Sequence, residues 1–167
     1  MKQAILFTLL SLSIFSCQKN DLSSPEETPT EEATSYKVNK ATLLQLVNNV
    51  RAAGCTCGST VMPPVSPVTW NDLLAKAAYG HSLDMMQKNY FNHTGSDGSD
   101  AGQRITAAGY VWTAYGENIA NGYPNETAVM NGWLNSEGHC KNIMNAAVIE
   151  MGAGREANYW TQLFGRR

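Results

Sequence analysis

The chain has 167 residues, with 12 Lys plus Arg against 14 Asp plus Glu and a formal net charge of −2. That length predicts one globular domain plus tails, and the absence of a basic stripe excludes a nucleic-acid surface. The first 17 residues stand apart. Lys2 supplies a short positive start, residues 4–15 are apolar apart from hydroxyl side chains, and Ser16 precedes Cys17. This run is too short to span a bilayer and reads as an export signal.

Ile14-Phe15-Ser16-Cys17 resembles a bacterial lipobox. In such a motif the cysteine is lipidated and becomes the new N-terminus, so Cys17 is the expected lipidation site. Phe15 is bulkier than usual there, and ordinary signal cleavage nearby is the alternative. Residues 18–35 are rich in Ser, Thr, Pro and Glu, with Glu26, Glu27, Glu31 and Glu32 in pairs. Such a segment buries too little apolar surface to fold and reads as a tether. Gln18-Lys19-Asn20-Asp21 resembles the short polar signals that send some lipoproteins to the outer face of the outer membrane. The expected location is therefore an exported, outer-membrane or cell-surface lipoprotein, with a periplasmic or secreted protein as the alternative.

The folded part, residues 36–167, begins with a helix over residues 38–51. Leu43, Leu46, Val47 and Val50 form its stripe, and Gly54 stops it. Residues 58–69, with Pro63, Pro64 and Pro67, predict an extended loop. Asn71 caps a second helix that carries Leu74, Ala77, Ala78, His81 and Met85 at helical spacing and ends near Asn89. His81 shares that stripe and reads as a hydrogen-bonded core histidine. Residues 92–99 are loop. Asp100 with Gln103 makes a capping box for a short helix closing at Gly109. Residues 110–120 predict a strand. Asn125 opens a helix with Val129, Met130, Trp133 and Leu134 inward, and residues 148–154 and 159–164 predict two strands joined by a polar turn. Helices flanking a strand-rich C-terminal half indicate α+β layers.

An exported protein lives where disulfides persist. With Cys17 lipidated, Cys55, Cys57 and Cys140 form an odd set. Cys55 and Cys57 are too close to pair readily, so one of them bridges to Cys140 and leaves a free thiol. Cys57 is favoured. A zinc knuckle of Cys55, Cys57, Cys140 and His139 is the rival, although Cys-x-Cys is shorter than the usual structural zinc loop.

Three residues in polar, glycine-rich runs carry the functional signal: His93 in Phe91-Asn92-His93-Thr94-Gly95, Glu117 in Gly116-Glu117-Asn118, and His139 in Gly138-His139-Cys140. Imidazole and carboxylate groups bind divalent metals and move protons near neutral pH. Glycines beside them let the backbone approach a ligand closely.

The order of motifs resembles the cysteine-rich secretory/antigen 5/pathogenesis-related-1 (CAP, or SCP-like) domain, in its bacterial branch. The resemblance runs from about residue 36 to residue 165. It rests on Trp70-Asn71-Asp72-Leu73, Gly80-His81-Ser82-Leu83-Asp84-Met85, Phe91-Asn92-His93-Thr94-Gly95 and Arg104-Ile105. Gly116-Glu117-Asn118-Ile119, Gly132-Trp133-Leu134-Asn135-Ser136, Gly138-His139, Met151-Gly152-Ala153-Gly154 and Tyr159-Trp160-Thr161-Gln162 complete it. It implies an α-β-α sandwich with a central antiparallel sheet flanked by helices and a large cleft. In many members that cleft holds two histidines and two glutamates, which places His93, Glu117 and His139 in it. The other glutamate often follows the helix tryptophan by three positions. Here that position is Ser136, with Glu137 beside it. Asn118 is a further cleft candidate.

Two imidazoles, with Glu117 as a third donor, offer zinc or another divalent cation enough ligands to leave a position for water. A metal so held lowers the water pKa and supports hydrolysis. No His-Glu-x-x-His helix and no Gly-x-Ser-x-Gly elbow accompanies the trio. The expected function is therefore binding without established catalysis, with a small molecule, a lipid or a glycan in a His/Glu cleft. The alternatives are a metal-assisted hydrolase or protease acting on envelope or host polymers, and a structural or adhesion module. The chain is read as a monomer whose membrane contact is the lipid anchor.

Overall fold

The structure, a computed structural model, describes residues 36–167. The export signal with Cys17 and the tether of residues 18–35 lie outside the described residues. Asn39 caps α1 (Lys40–Ala53) by accepting the Thr42 N–H, and Gly54 closes it at φ +73°. Leu43 and Val47 are buried as the stripe predicts, and Arg51 is buried with them. Its guanidinium donates to the carbonyls of Ser66, Ile143, Asn145 and Val148 at 2.7–3.2 Å. Five donors in a rigid fork make arginine the cation suited to such a site.

The segment expected to be a loop from residue 58 begins as a hairpin instead. Strand β1 (Cys55–Cys57) pairs antiparallel with β2 (Thr60–Met62). Gly58, at φ +59°, supplies the left-handed corner between them. The prolines follow the hairpin and lead to β3 (Thr69–Trp70) and α2 (Asp72–Lys88). Asn71 caps α2 by accepting the Leu73 and Leu74 N–H groups, and Asn89 ends it in the left-handed region. Next comes α3 (Ala101–Ala107), with both halves of the Asp100–Gln103 capping box formed. The remaining elements are β4 (Ala114–Asn121), α4 (Glu126–Leu134), α5 (Glu137–Ile143), β5 (Glu150–Glu156) and β6 (Tyr159–Arg166).

The main sheet has the order β3-β5-β6-β4. Strand β6 runs antiparallel to both of its neighbours, β4 and β5, as expected of the central sheet. The two-residue β3 departs from this and runs parallel to β5, held by Thr69 N–H to Ile149 O and Asn71 N–H to Met151 O. Its direction follows from its place between the proline-rich segment and the start of α2.

Alternation along β5 and β6 builds the layers. Met151, Ala153, Trp160 and Phe164 enter one core with Leu43 and Val47 of α1, Trp133 of α4 and Ile143 of α5. Leu163 enters the other with Leu74 and Ala78 of α2, Ile105 of α3 and Tyr110. The result is the α-β-α sandwich. Among the described residues, no helix is long and apolar enough to cross a membrane.

Gly152 and Gly154 face α2, and this spacing decides how closely the helix lies. A Cβ at Gly152 would overlap the backbone of Leu74 and Ala75, and one at Gly154 would overlap Tyr79. Between them the helix drops onto the sheet, and the Ser82 hydroxyl donates to Gly154 O at 3.0 Å. A Gly152→Ala change should therefore cost about 3 kcal/mol, because rigid backbone rather than a flexible side chain must yield. Urea unfolding of the variant beside the parent checks this.

Candidate functional site

Strand β4 is an edge strand, and its neighbouring residues Glu117 and Asn118 point to opposite faces. Each fixes one histidine-bearing segment. Glu117, with 4 % of its side chain exposed, accepts from His93 Nδ1 at 2.7 Å and from an Arg104 Nη at 2.6 Å. The same Arg104 guanidinium donates to His93 O at 3.0 Å and Ser99 O at 2.8 Å, so α3 and β4 together pin the loop. On the other face Asn118 Nδ2 donates to His139 O at 3.2 Å and to Gln162 Oε1 at 3.0 Å. Asn142 of α5 donates to Asn118 Oδ1 and to Glu117 O, which otherwise lies on the free edge of the sheet.

The two histidines meet in a cleft of about 520 Å³ along the outer edge of β4. Its walls are Phe91, Asn92 and His93 from the loop, Ile119, Ala120 and Asn121 from β4, Tyr123, and Gly132, Trp133, Ser136 and His139 from the α4–α5 side. His93, His139 and Ser136 thus lie on the wall of one cleft. Glu117 stands behind His93 rather than on the wall. Asn118 is fully buried beneath the site.

Glu137, expected as a cleft residue, turns elsewhere. Its carboxylate pairs with Lys141 Nζ at 2.6 Å, one helical turn on, and lies over Gly58 of the β1–β2 turn. Starting α5 on Ser136 points the next side chain away from the cleft. The cleft therefore has no second carboxylate at that position.

Electrostatics favour neutral rings. Burial, and then the nearby His93, hold the His139 pKa below its ordinary value. Burial likewise depresses His81, which is 1 % exposed. His81 Nε2 lies 2.9 Å from Asn92 O, so that nitrogen carries the proton and donates. It is the core histidine its stripe predicts, and it also fixes the loop one residue before His93. Tyr90, whose hydroxyl bonds Asp84, is pushed up to about 12, first by burial and then by that carboxylate.

A divalent cation fits this donor set in one way. With Nδ1 of His93 engaged by Glu117, Nε2 is the ring nitrogen left for a ligand. Both Glu117 oxygens already have partners, so the carboxylate would orient the ring rather than bind metal itself. Two imidazoles with solvent would make an open, exchangeable site, unlike a closed four-ligand structural one. Among the described residues, the group of three donors within 4.8 Å of one another is Cys55, Cys57 and Cys140. His139, facing the cleft, does not complete it as the four-ligand knuckle requires. Cys57 and Cys140 form a disulfide, as favoured, and Cys55 is free.

Arg104 is the residue that sequence reasoning missed. Its only signal was an Arg-Ile pair in a short amphipathic helix, and nothing in that pair says that a strand ten residues later brings it a carboxylate.

A family model described as the cysteine-rich secretory protein family (CAP) matches residues 44–164. The membrane protein YlbC of Bacillus subtilis is 36% identical over 103 residues, covering 62% of this chain and 30% of that protein. An extracellular protein containing an SCP domain, from Bacillus anthracis, superposes with a TM-score of 0.69 at 31% identity, covering 77% of this chain and 40% of that one. An outer surface protein of Borrelia burgdorferi shares the fold, with a TM-score of 0.61 at 21% identity over 77% of this chain and 89% of that one. The chain thus spans less than half the length of the Bacillus proteins it matches.

Two outcomes follow from the geometry. Glu117→Gln leaves the Arg104 charge without its partner in a dry site and should cost about 3 kcal/mol of stability. His81 and His139 have folded pKa values below the ordinary 6.5. As pH falls below 6.5 the unfolded chain takes up protons that the folded one resists, so stability present above that value is lost. The urea midpoint should drop between about pH 7.5 and about pH 5.5, and less so in His81→Gln.

Proposed function

This chain belongs to the cysteine-rich secretory protein family, and from that premise we propose an exported binding domain. It takes a small molecule, a lipid or a glycan in the cleft beside β4, with a divalent cation, zinc by donor chemistry, shared by His93 and His139. The observation that carries this reading is the pairing of Glu117 with His93 Nδ1, in a cleft that His139 also lines. A carboxylate behind an imidazole fixes its tautomer and orientation, an arrangement that recurs behind metal-binding histidines. The depressed pKa of His139 supports it as well, since only the neutral ring has a lone pair for a metal.

The walls suit a ligand with an apolar body and a polar end. Phe91, Ile119, Tyr123 and Trp133 supply apolar surface, and Asn92, Asn121 and Ser136 supply hydrogen-bonding groups. Few polar groups on a mostly apolar wall are the usual composition of a small-molecule site. Export is supported by the N-terminal apolar run and by the extracellular and membrane relatives. The reading needs no catalytic step: both histidines act as ligands, and Glu117 is committed to Arg104 and His93.

Calorimetric titration of the disulfide-bonded protein with Zn2+ tests the site. One ion should bind, and the His93→Ala, His139→Ala double variant should bind about 100-fold more weakly with its thermal unfolding little changed. Absence of binding in the parent, or equal binding by the double variant, overturns the proposal.

A further inference from the structure

We propose that Cys55, Cys57 and Cys140 form a second, redox-gated site for a thiophilic cation of the Zn2+ class, closed by the Cys57–Cys140 disulfide and opened by its reduction. Period-two alternation along β1 puts Cys55 and Cys57 on one side, toward Cys140 of α5. The free Cys55 Sγ lies 3.6 Å from Cys140 Sγ and 3.8 Å from Cys57 Sγ. In a tetrahedral thiolate site with Zn–S bonds of about 2.3 Å, neighbouring sulfurs stand about 3.8 Å apart. Two edges of the sulfur triangle therefore already have the spacing of a zinc site. Only the third is drawn in, by the S–S bond.

Access to the cluster is one-sided. Cys57 and Cys140 are 0 % and 1 % exposed, whereas Cys55 is half-buried. With Cys140 it lines a cavity of about 390 Å³ that also holds Asn49, Thr56 and Asn135. That cavity admits a small reductant and leaves room for water as a fourth ligand. It is separate from the histidine cleft, whose walls include His139 and none of the three cysteines.

The chemistry closes with a dithiol as reductant. Its two thiols give two electrons and two protons to the Cys57–Cys140 bond, which breaks into two thiols, and the dithiol leaves as its own disulfide. Zn2+ then replaces the protons of Cys55, Cys57 and Cys140, forming three Zn–S bonds and releasing three protons.

The test uses the full chain carrying Cys17→Ser, His93→Ala and His139→Ala, so that metal bound elsewhere does not contribute. The protein is reduced with a dithiol, freed of it anaerobically, and titrated with Co2+ as a spectroscopic stand-in for Zn2+. We expect a thiolate-to-cobalt charge-transfer band at one equivalent in the reduced protein and none in the oxidised protein. Zn2+ should displace the cobalt, and Cys55→Ser should weaken binding about 100-fold. A reduced protein that keeps its native circular dichroism without the band overturns the proposal. So does equal affinity in Cys55→Ser. Should reduction unfold the chain, the proposal requires Zn2+ to restore the native spectrum, and failure to do so overturns it equally.

Discussion

The division of the Glu117 carboxylate between Arg104 and His93 is the interaction on which the site depends. A carboxylate this deeply buried is tolerated only when its charge and lone pairs are matched. Arg104 supplies the charge, and His93 supplies a directed N–H. Because Arg104 also holds His93 O and Ser99 O, one guanidinium joins α3, the loop and the edge strand into a single wall. The opposite wall is fixed from the next residue of the same strand, where Asn118 and Asn142 tie α5 to β4. The two histidines therefore keep their relation through one dipeptide, Glu117-Asn118, whose side chains diverge across the sheet.

The layers behind this wall follow from where bulk is missing. Gly152 and Gly154 let α2 lie on β5 at backbone contact. That depth sets the height of His81, two turns along the helix, and through its bond to Asn92 O the height of the loop bearing His93. Ser82, on the same helix, meets Thr161 and Gly154 and locks the helix against sliding along the strands. Glycines remote from the cleft thus determine where the loop bearing His93 lies.

Local signals were legible in the sequence because they depend on neighbours in the chain. Asn71 and the Asp100–Gln103 box cap helices as their spacing implies. The stripes of α1 and α4 bury Leu43, Val47, Val129, Met130 and Trp133, with Leu46, Val50 and Leu134 partly buried against the same core. The resemblance placed His93, Glu117 and His139 in one cleft, which local pattern alone does not reach; the structure puts both histidines on its wall and Glu117 behind His93. Partnerships between distant residues were not legible. Arg51 looks like a solvent-facing charge at the end of an amphipathic helix, yet it is buried against four carbonyls from two distant segments. Glu137 looked available to the cleft, but residue adjacency says nothing of direction, and the start of α5 turns it toward Lys141 and Gly58. The β1–β2 hairpin was hidden because three prolines just beyond it dominate the local composition.

The Cys57–Cys140 bond joins positions 83 residues apart and encloses α2, α3, β4, α4 and the exposed loop that carries His93. A protease that cuts that loop meets a chain whose halves are still covalently joined. The nicked molecule stays in one piece until it is reduced, and β3, before the cut, stays paired with β5, after it. The bridge makes backbone cleavage in that exposed loop a wound rather than a separation.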